Sequence, residues 1–76
     1  IMELEPGAKG KRHDHAEDGQ EEVYVVAEGT VEVELDGESV TLSRNQAIRL
    51  SPEQPRRIHN RGEETARLVL VGGPGA

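Results

Sequence analysis

Apolar residues in this chain recur at every second position, seldom at every third or fourth. Thr30-Val-Glu-Val-Glu-Leu35 is the cleanest case, with Val31, Val33 and Leu35 on one side and Glu32 and Glu34 on the other. A period of two is that of a strand with one face buried. Asp36-Gly37 then supplies a two-residue hairpin signal, and Ser39–Leu42 returns as the partner strand, Val40 and Leu42 inward. Upstream, Glu22–Ala27 reads as a strand closed by a Glu28-Gly29 turn. Downstream, Asn45-Gln46 is a turn in which Asn tolerates the left-handed conformation, followed by Ala47–Leu50 with Ile48 and Leu50 on one face. Pro52 and Pro55 bracket a loop that cannot donate to a ladder. Arg56–Asn60 and Thr65–Val71 are the last two strands, separated by Arg61-Gly62. Met2–Glu5 and Lys11–His15, divided by Pro6-Gly7, complete the set. Gly or Pro interrupts every window long enough for a three-turn amphipathic helix. About eight short strands at hairpin spacing imply a sandwich or barrel. The expectation is one all-β domain over residues 1–71, without internal repeat or linker. Gly72-Gly-Pro-Gly75 begins a flexible tail over 72–76.

Size makes that domain marginal. A chain of 76 residues buries only about 60% of its unfolded surface, and such domains usually lean on disulfides, a metal or a partner subunit. Cysteine is absent, which removes disulfides and zinc–thiolate sites and leaves the redox compartment undetermined. Only 17 residues are Ile, Leu or Val, with no Phe or Trp, so order depends on how the aliphatics are arranged. A formal charge of −6 lacks the basic footprint that nucleic acid and anionic membranes need. It fits a solubility role, with salt adaptation the sharper alternative. No apolar run of eighteen residues and no leader-like start is present, so the expected location is the cytoplasm. The first residue is Ile1, so an upstream segment can be missing.

The chemistry is concentrated in Gly7-Ala-Lys-Gly-Lys-Arg-His13-Asp-His15-Ala-Glu-Asp-Gly-Gln-Glu-Glu22-Val-Tyr-Val-Val-Ala-Glu-Gly29. Two histidines at i and i+2 on a strand share a face. With a carboxylate from the next strand they make two nitrogens and one oxygen, suited to divalent Fe, Mn, Zn, Ni or Cu. Alternation along Glu22–Val26 puts Glu22, Tyr24 and Val26 together and turns Glu21 away. By spacing alone, two such histidines between Asp14, Glu17 and Asp18 are as readily a solvated surface face. Tyr24 either fills the core or donates a hydrogen bond to a ligand.

The frame around these residues resembles the first cupin motif, G-x5-H-x-H-x3–4-E-x6-G. Gly7 to His13, His13-x-His15 and Glu22 to Gly29 keep its spacing, while the His15–Glu22 gap is longer than the pattern. The surplus reads as a lengthened hairpin loop around Gly19, and it offers Gln20 as a substitute for Glu22. The resemblance runs from Gly7 to about Val71. It implies a small single-domain cupin, an antiparallel jelly-roll β-barrel, with a metal on His13, His15 and Glu22. It also implies a homodimer that exchanges or pairs edge strands.

The second motif, G-x5-P-x-G-x2-H-x3-N, is eroded. Anchored on Asn60, its glycine falls on Asn45, its proline on Ser51, its second glycine on Glu53 and its histidine on Arg56; anchored on Pro52, the histidine falls on Arg57. Arginine has no lone pair to give a metal. Arg56 therefore either pairs with Glu22 in the place of the ion, or clamps a carboxylate or phosphate beside an open three-ligand site. His59 lies three residues past Arg56 and faces the other side unless a bulge turns it. Three functions follow. One is a barrel binding a small anionic molecule with a divalent metal, of dioxygenase or isomerase type if it is an enzyme. The others are a metal-free binding or sensing module, and a structural unit with a vestigial pocket. The sequence singles out no catalytic residue.

Overall fold

The computed structural model describes residues 1–10 and 19–74. Seven strands form: β1 (Met2–Leu4), β2 (Gln20–Glu28), β3 (Val31–Leu35), β4 (Glu38–Leu42), β5 (Ala47–Leu50), β6 (Arg56–His59) and β7 (Ala66–Pro74). They build one sheet of order β1-β7-β2-β5 and another of order β4-β3-β6. The pairings within both sheets are antiparallel. The described residues contain no helix, and so none long and apolar enough to cross a membrane.

Alternation assigns the faces as the sequence implies. Val31, Val33 and Leu35 of β3 are buried while Glu32 and Glu34 are half-buried. The four-stranded sheet contributes Leu4, Tyr24, Val26, Leu50, Ala66 and Leu68 to the core, and the three-stranded sheet adds Val31, Val33, Leu35, Leu42 and Ile58. The core therefore lies between the two sheets, which pack face to face.

Short polar devices fix the corners. Asp36-Gly37 joins β3 to β4 with Gly37 at φ 83°, and Asn45 takes φ 69°, the left-handed values those turns require. Gly7–Gly10 runs alongside β6: Gly7 N donates to Asn60 O, Asn60 N to Ala8 O and Gly10 N to Ile58 O, at 2.8, 2.9 and 2.8 Å. Asn60 itself is buried, at 1% exposure. Its Nδ2 donates to Leu4 O and to Glu64 O, both at 2.8 Å, and its Oδ1 accepts from Gly62 N. One amide thus ties β1, β6 and the β6–β7 loop together.

Two boundaries differ from the sequence expectation. Strand β7 does not stop at Val71: Gly72, Gly73 and Pro74 pair with Glu22, Glu21 and Gln20. The tail expected from Gly72 is instead continued strand as far as Pro74, because β2 itself starts two residues before Glu22 and offers a ladder. Strand ends elsewhere shift by a residue or two, as ends commonly do. The expected Lys11–His15 strand lies outside the described residues.

Two glycines provide a matched test. Gly29 and Gly37 both have positive φ, 79° and 83°. A Cβ on Gly37 would meet nothing within 4 Å, whereas one on Gly29 would lie 3.0 Å from Ala66 Cα and 3.1 Å from Thr65 O. Gly37→Ala should cost about 1–2 kcal/mol, the left-handed penalty alone. Gly29→Ala should cost clearly more, about 3 kcal/mol or above once the backbone must shift. Urea unfolding of the two variants checks the difference; equal losses would show that the Ala66 contact is immaterial.

Candidate functional site

β2 and β6 belong to different sheets, and their inner faces meet. On β2, alternation carries Glu22, Tyr24 and Val26 inward. On β6, Leu35 is the partner of Arg56 and Val33 of Ile58, so Arg56 shares the buried face of those aliphatics. Anchoring on Asn60 rather than Pro52 is therefore the alignment that places a side chain in the interior.

The Arg56 guanidinium is completely buried, at 0% exposure. Its Nη2 donates to the carbonyl of Ser51 at 2.7 Å, and its Nη1 lies 3.6 Å from Glu22 Oε1. The same Oε1 accepts the Tyr24 hydroxyl at 3.2 Å. Among the described residues, Arg56 Nε and Nη1 have no hydrogen-bond partner. Three residues from two sheets thus converge: a carboxylate, a phenol donating to it, and a guanidinium with N–H groups to spare.

The electrostatics follow from burial. The Tyr24 hydroxyl is pushed up to about 12, first by its removal from water and then by the Glu22 carboxylate, with Arg56 pulling the other way. It is a neutral donor across the physiological range.

Of the residues expected from sequence, the structure brings Glu22, Tyr24 and Arg56 together. Gln20 opens β2 on the same face, at its exposed end. His13 and His15 lie outside the described residues, and those described contain no cluster of three metal-ligating side chains. His59 is on the outer face of β6, opposite Glu32, as alternation requires, with Nε2 2.6 Å from Glu34 Oε1. It is nevertheless 8% exposed, more covered than an outer-face histidine need be. Arg57 is half-buried. The Ser51 carbonyl that holds Arg56 had no sequence signal, since any residue type supplies it.

A family model, described as "Cupin domain", matches residues 1–72. The chain belongs to the cupin family. Its relatives include "Polyketide synthase CurC" of Streptomyces cyaneus, 39% identical over 71 residues, which span 93% of this chain and 45% of that protein. "Tetracenomycin polyketide synthase protein TcmJ" of Streptomyces glaucescens is 36% identical over 73 residues, 96% of this chain and 48% of its own. This cupin domain thus spans less than half the length of either Streptomyces relative. Among solved structures, TT1209 from Thermus thermophilus superposes with a TM-score of 0.85 at 30% identity, covering 97% of this chain and 69% of that one. The all-β cupin fold is shown.

Tyr24 gives the site a pH signature. An unfolded tyrosine loses its proton near 10, whereas Tyr24 in the folded cupin holds it to about 12. Between those values the folded state binds more protons, so stability present below pH 10 is lost as pH rises toward 12. The loss should be about 2 kcal/mol, and Tyr24→Phe should remove that part of the slope. Urea midpoints of parent and variant at pH 9 and 11.5 measure it; parallel pH profiles would show that Tyr24 is not the titrating group.

Proposed function

We propose that this cupin domain is a ligand-binding barrel whose interior takes a small organic anion anchored on Arg56. The observation that carries the reading is the buried guanidinium whose Nε and Nη1 lack acceptors among the described residues. A buried donor left unpaired costs about 1–3 kcal/mol, and more for a charged group. A carboxylate, enolate or phenolate oxygen would cancel that cost with charge-assisted hydrogen bonds. Tyr24 and Glu22 flank the anchor, Gln20 stands at the exposed end of the same face, and Val26, Leu50 and Leu68 make the buried surroundings apolar. The Streptomyces relatives are named for polyketide synthesis. An acidic phenol or enol of polyketide type is therefore the ligand class we assign.

A divalent metal on His13, His15 and Glu22 is the second reading, favoured by the inward Glu22. The described donors fit it poorly. Arg56 Nη1 lies 3.6 Å from Glu22 Oε1, so its positive charge would repel a divalent ion held on that carboxylate. The guanidinium already meets the charge requirement of the carboxylate.

Calorimetric titration with salicylate, a phenol and carboxylate in one probe, tests the first reading. Arg56→Met should weaken binding at least about tenfold, worth 1.4 kcal/mol, and Arg56→Lys should keep part of it. Identical affinities in parent and Arg56→Met would sink the proposal. Elemental analysis of protein purified without added metal tests the second, with a His13→Ala/His15→Ala control. We expect well under one metal per chain in both; a near-stoichiometric metal lost in the control would replace the first reading by the second.

A further inference from the structure

The inner face opens to water at one end, and a residue without a side chain stands at the opening. Along β2 the inward series Val26, Tyr24, Glu22 and Gln20 runs from completely buried through half-buried to exposed. Along β7 the matching series Ala66, Leu68, Leu70 and Gly72 runs the same way. The register makes Leu70 the partner of Tyr24 and Gly72 the partner of Glu22, while Leu50 of β5 flanks Glu22 on its other side. The inward row at the level of Glu22 thus has an aliphatic on one side and bare backbone on the other. Beyond β7, strand β1 reaches only as far as Leu68. Among the described residues, no strand pairs with β7 on that edge beside Gly72.

Glycine is a costly residue for a strand. It has no side chain to pack and loses more backbone freedom on folding than any other residue. Inside a strand it often marks a place where a ligand or another backbone comes close. Here neither a turn nor a second backbone asks for it. Gly72 has no left-handed φ, and among the described residues its Cβ would meet only Gln20 Oε1 at 3.4 Å and Glu21 O at 3.9 Å. The cation supplies an independent observation at the same place. Arg56 Nη1 is buried without an acceptor among the described residues. It lies 3.6 Å from Glu22 Oε1, and the Glu22 side chain keeps 14% of its surface exposed. Cross-strand partners stand about 5 Å apart, so the Gly72 backbone adjoins the carboxylate that the guanidinium faces.

Resting on the reading of Arg56 as an anion anchor, we propose that Gly72 is the position that sets ligand size in that site. The notch beside Glu22 takes the body of the anchored anion, a flat fused-ring system lying against the bare Gly72 backbone. The Gln20 amide stands at the edge of the notch, where it offers a donor and an acceptor to an oxygen on the outer ring. The ligand class narrows accordingly, to aromatic hydroxy acids of two or more fused rings.

Calorimetric titration with salicylate and with 3-hydroxy-2-naphthoate tests this, because the two share one phenol–carboxylate pair and differ by one fused ring. The parent should bind the naphthoate at least about tenfold tighter, from the apolar area that the second ring removes from water. Gly72→Val should erase that preference while keeping salicylate within about threefold of the parent. Gly72→Ala should fall between, with far-UV circular dichroism confirming the fold of each variant. Gly73→Val is the matched control, since Gly73 pairs with the outward Glu21 and a Cβ there meets nothing within 4 Å. It should leave both affinities as in the parent. A parent without the preference would overturn the notch and leave the anchor standing. So would a preference that survives Gly72→Val, or one lost equally in Gly73→Val. Binding of neither probe by the parent, or equal binding by parent and Arg56→Met, would overturn the anchor and the notch with it.

Discussion

A fully buried guanidinium between two sheets is the constraint from which the rest of this structure follows. Removing the charge of Arg56 from water costs several kcal/mol, and among the described residues its Nη2 donates a direct hydrogen bond to the Ser51 carbonyl. The ion pair with Glu22, at 3.6 Å, returns a similar magnitude at most. The balance is close to neutral, so the arrangement is not a stabilising feature of the core. It is a polarised interior with unspent donors. That state makes sense where a partner arrives to complete it.

The same constraint organises the neighbours. Glu22 Oε1 accepts the Tyr24 hydroxyl and faces the guanidinium as an ion pair at 3.6 Å. Tyr24 can serve as donor only while protonated, and burial beside Glu22 ensures that it is. Ser51 begins the loop that carries Pro52 and Pro55 into β6, so the carbonyl that accepts from Arg56 lies on the segment leading to it. Family membership alone would not have revealed any of this. Cupins share the barrel, and here the residue that the Asn60 anchor sets at the second motif's histidine is Arg56, a side chain incapable of ligation.

Much of the fold could be read from residues, and the reasons are local. Period-two alternation at Val31, Val33 and Leu35, the Asp36-Gly37 pair and a left-handed Asn45 each act within a few positions. Arg56 was legible as a candidate inward residue with Asn60 as anchor, while Pro52 as anchor pointed to Arg57; burial of Arg56 at 0% exposure separates the two. What escaped was long-range. The carbonyl of Ser51 carries no type-specific signal, the burial of His59 against Glu34 depends on a strand 25 positions away, and the extension of β7 through Gly72 and Gly73 depends on where β2 begins. The two histidines that dominated the sequence motif lie outside the described residues, whereas the carboxylate, phenol and guanidinium lie within them.

The two faces of strand β2 carry different duties. Gln20, Glu22, Tyr24 and Val26 point in; Glu21, Val23 and Val25 point out. A slip of one residue would exchange the sets completely. It would turn Glu22 and the Tyr24 ring outward and carry Glu21, Val23 and Val25 to the inner face. The bulge between Val26 and Glu28 then lets the strand change phase, placing Glu28 beside Arg67 on the outer face. The register that aims Glu22 at Arg56 is thus the register that lines up Val23 and Val25 with Val71 and Val69. In a domain this small one strand position decides both the interior chemistry and the exterior surface, and neither can drift without the other.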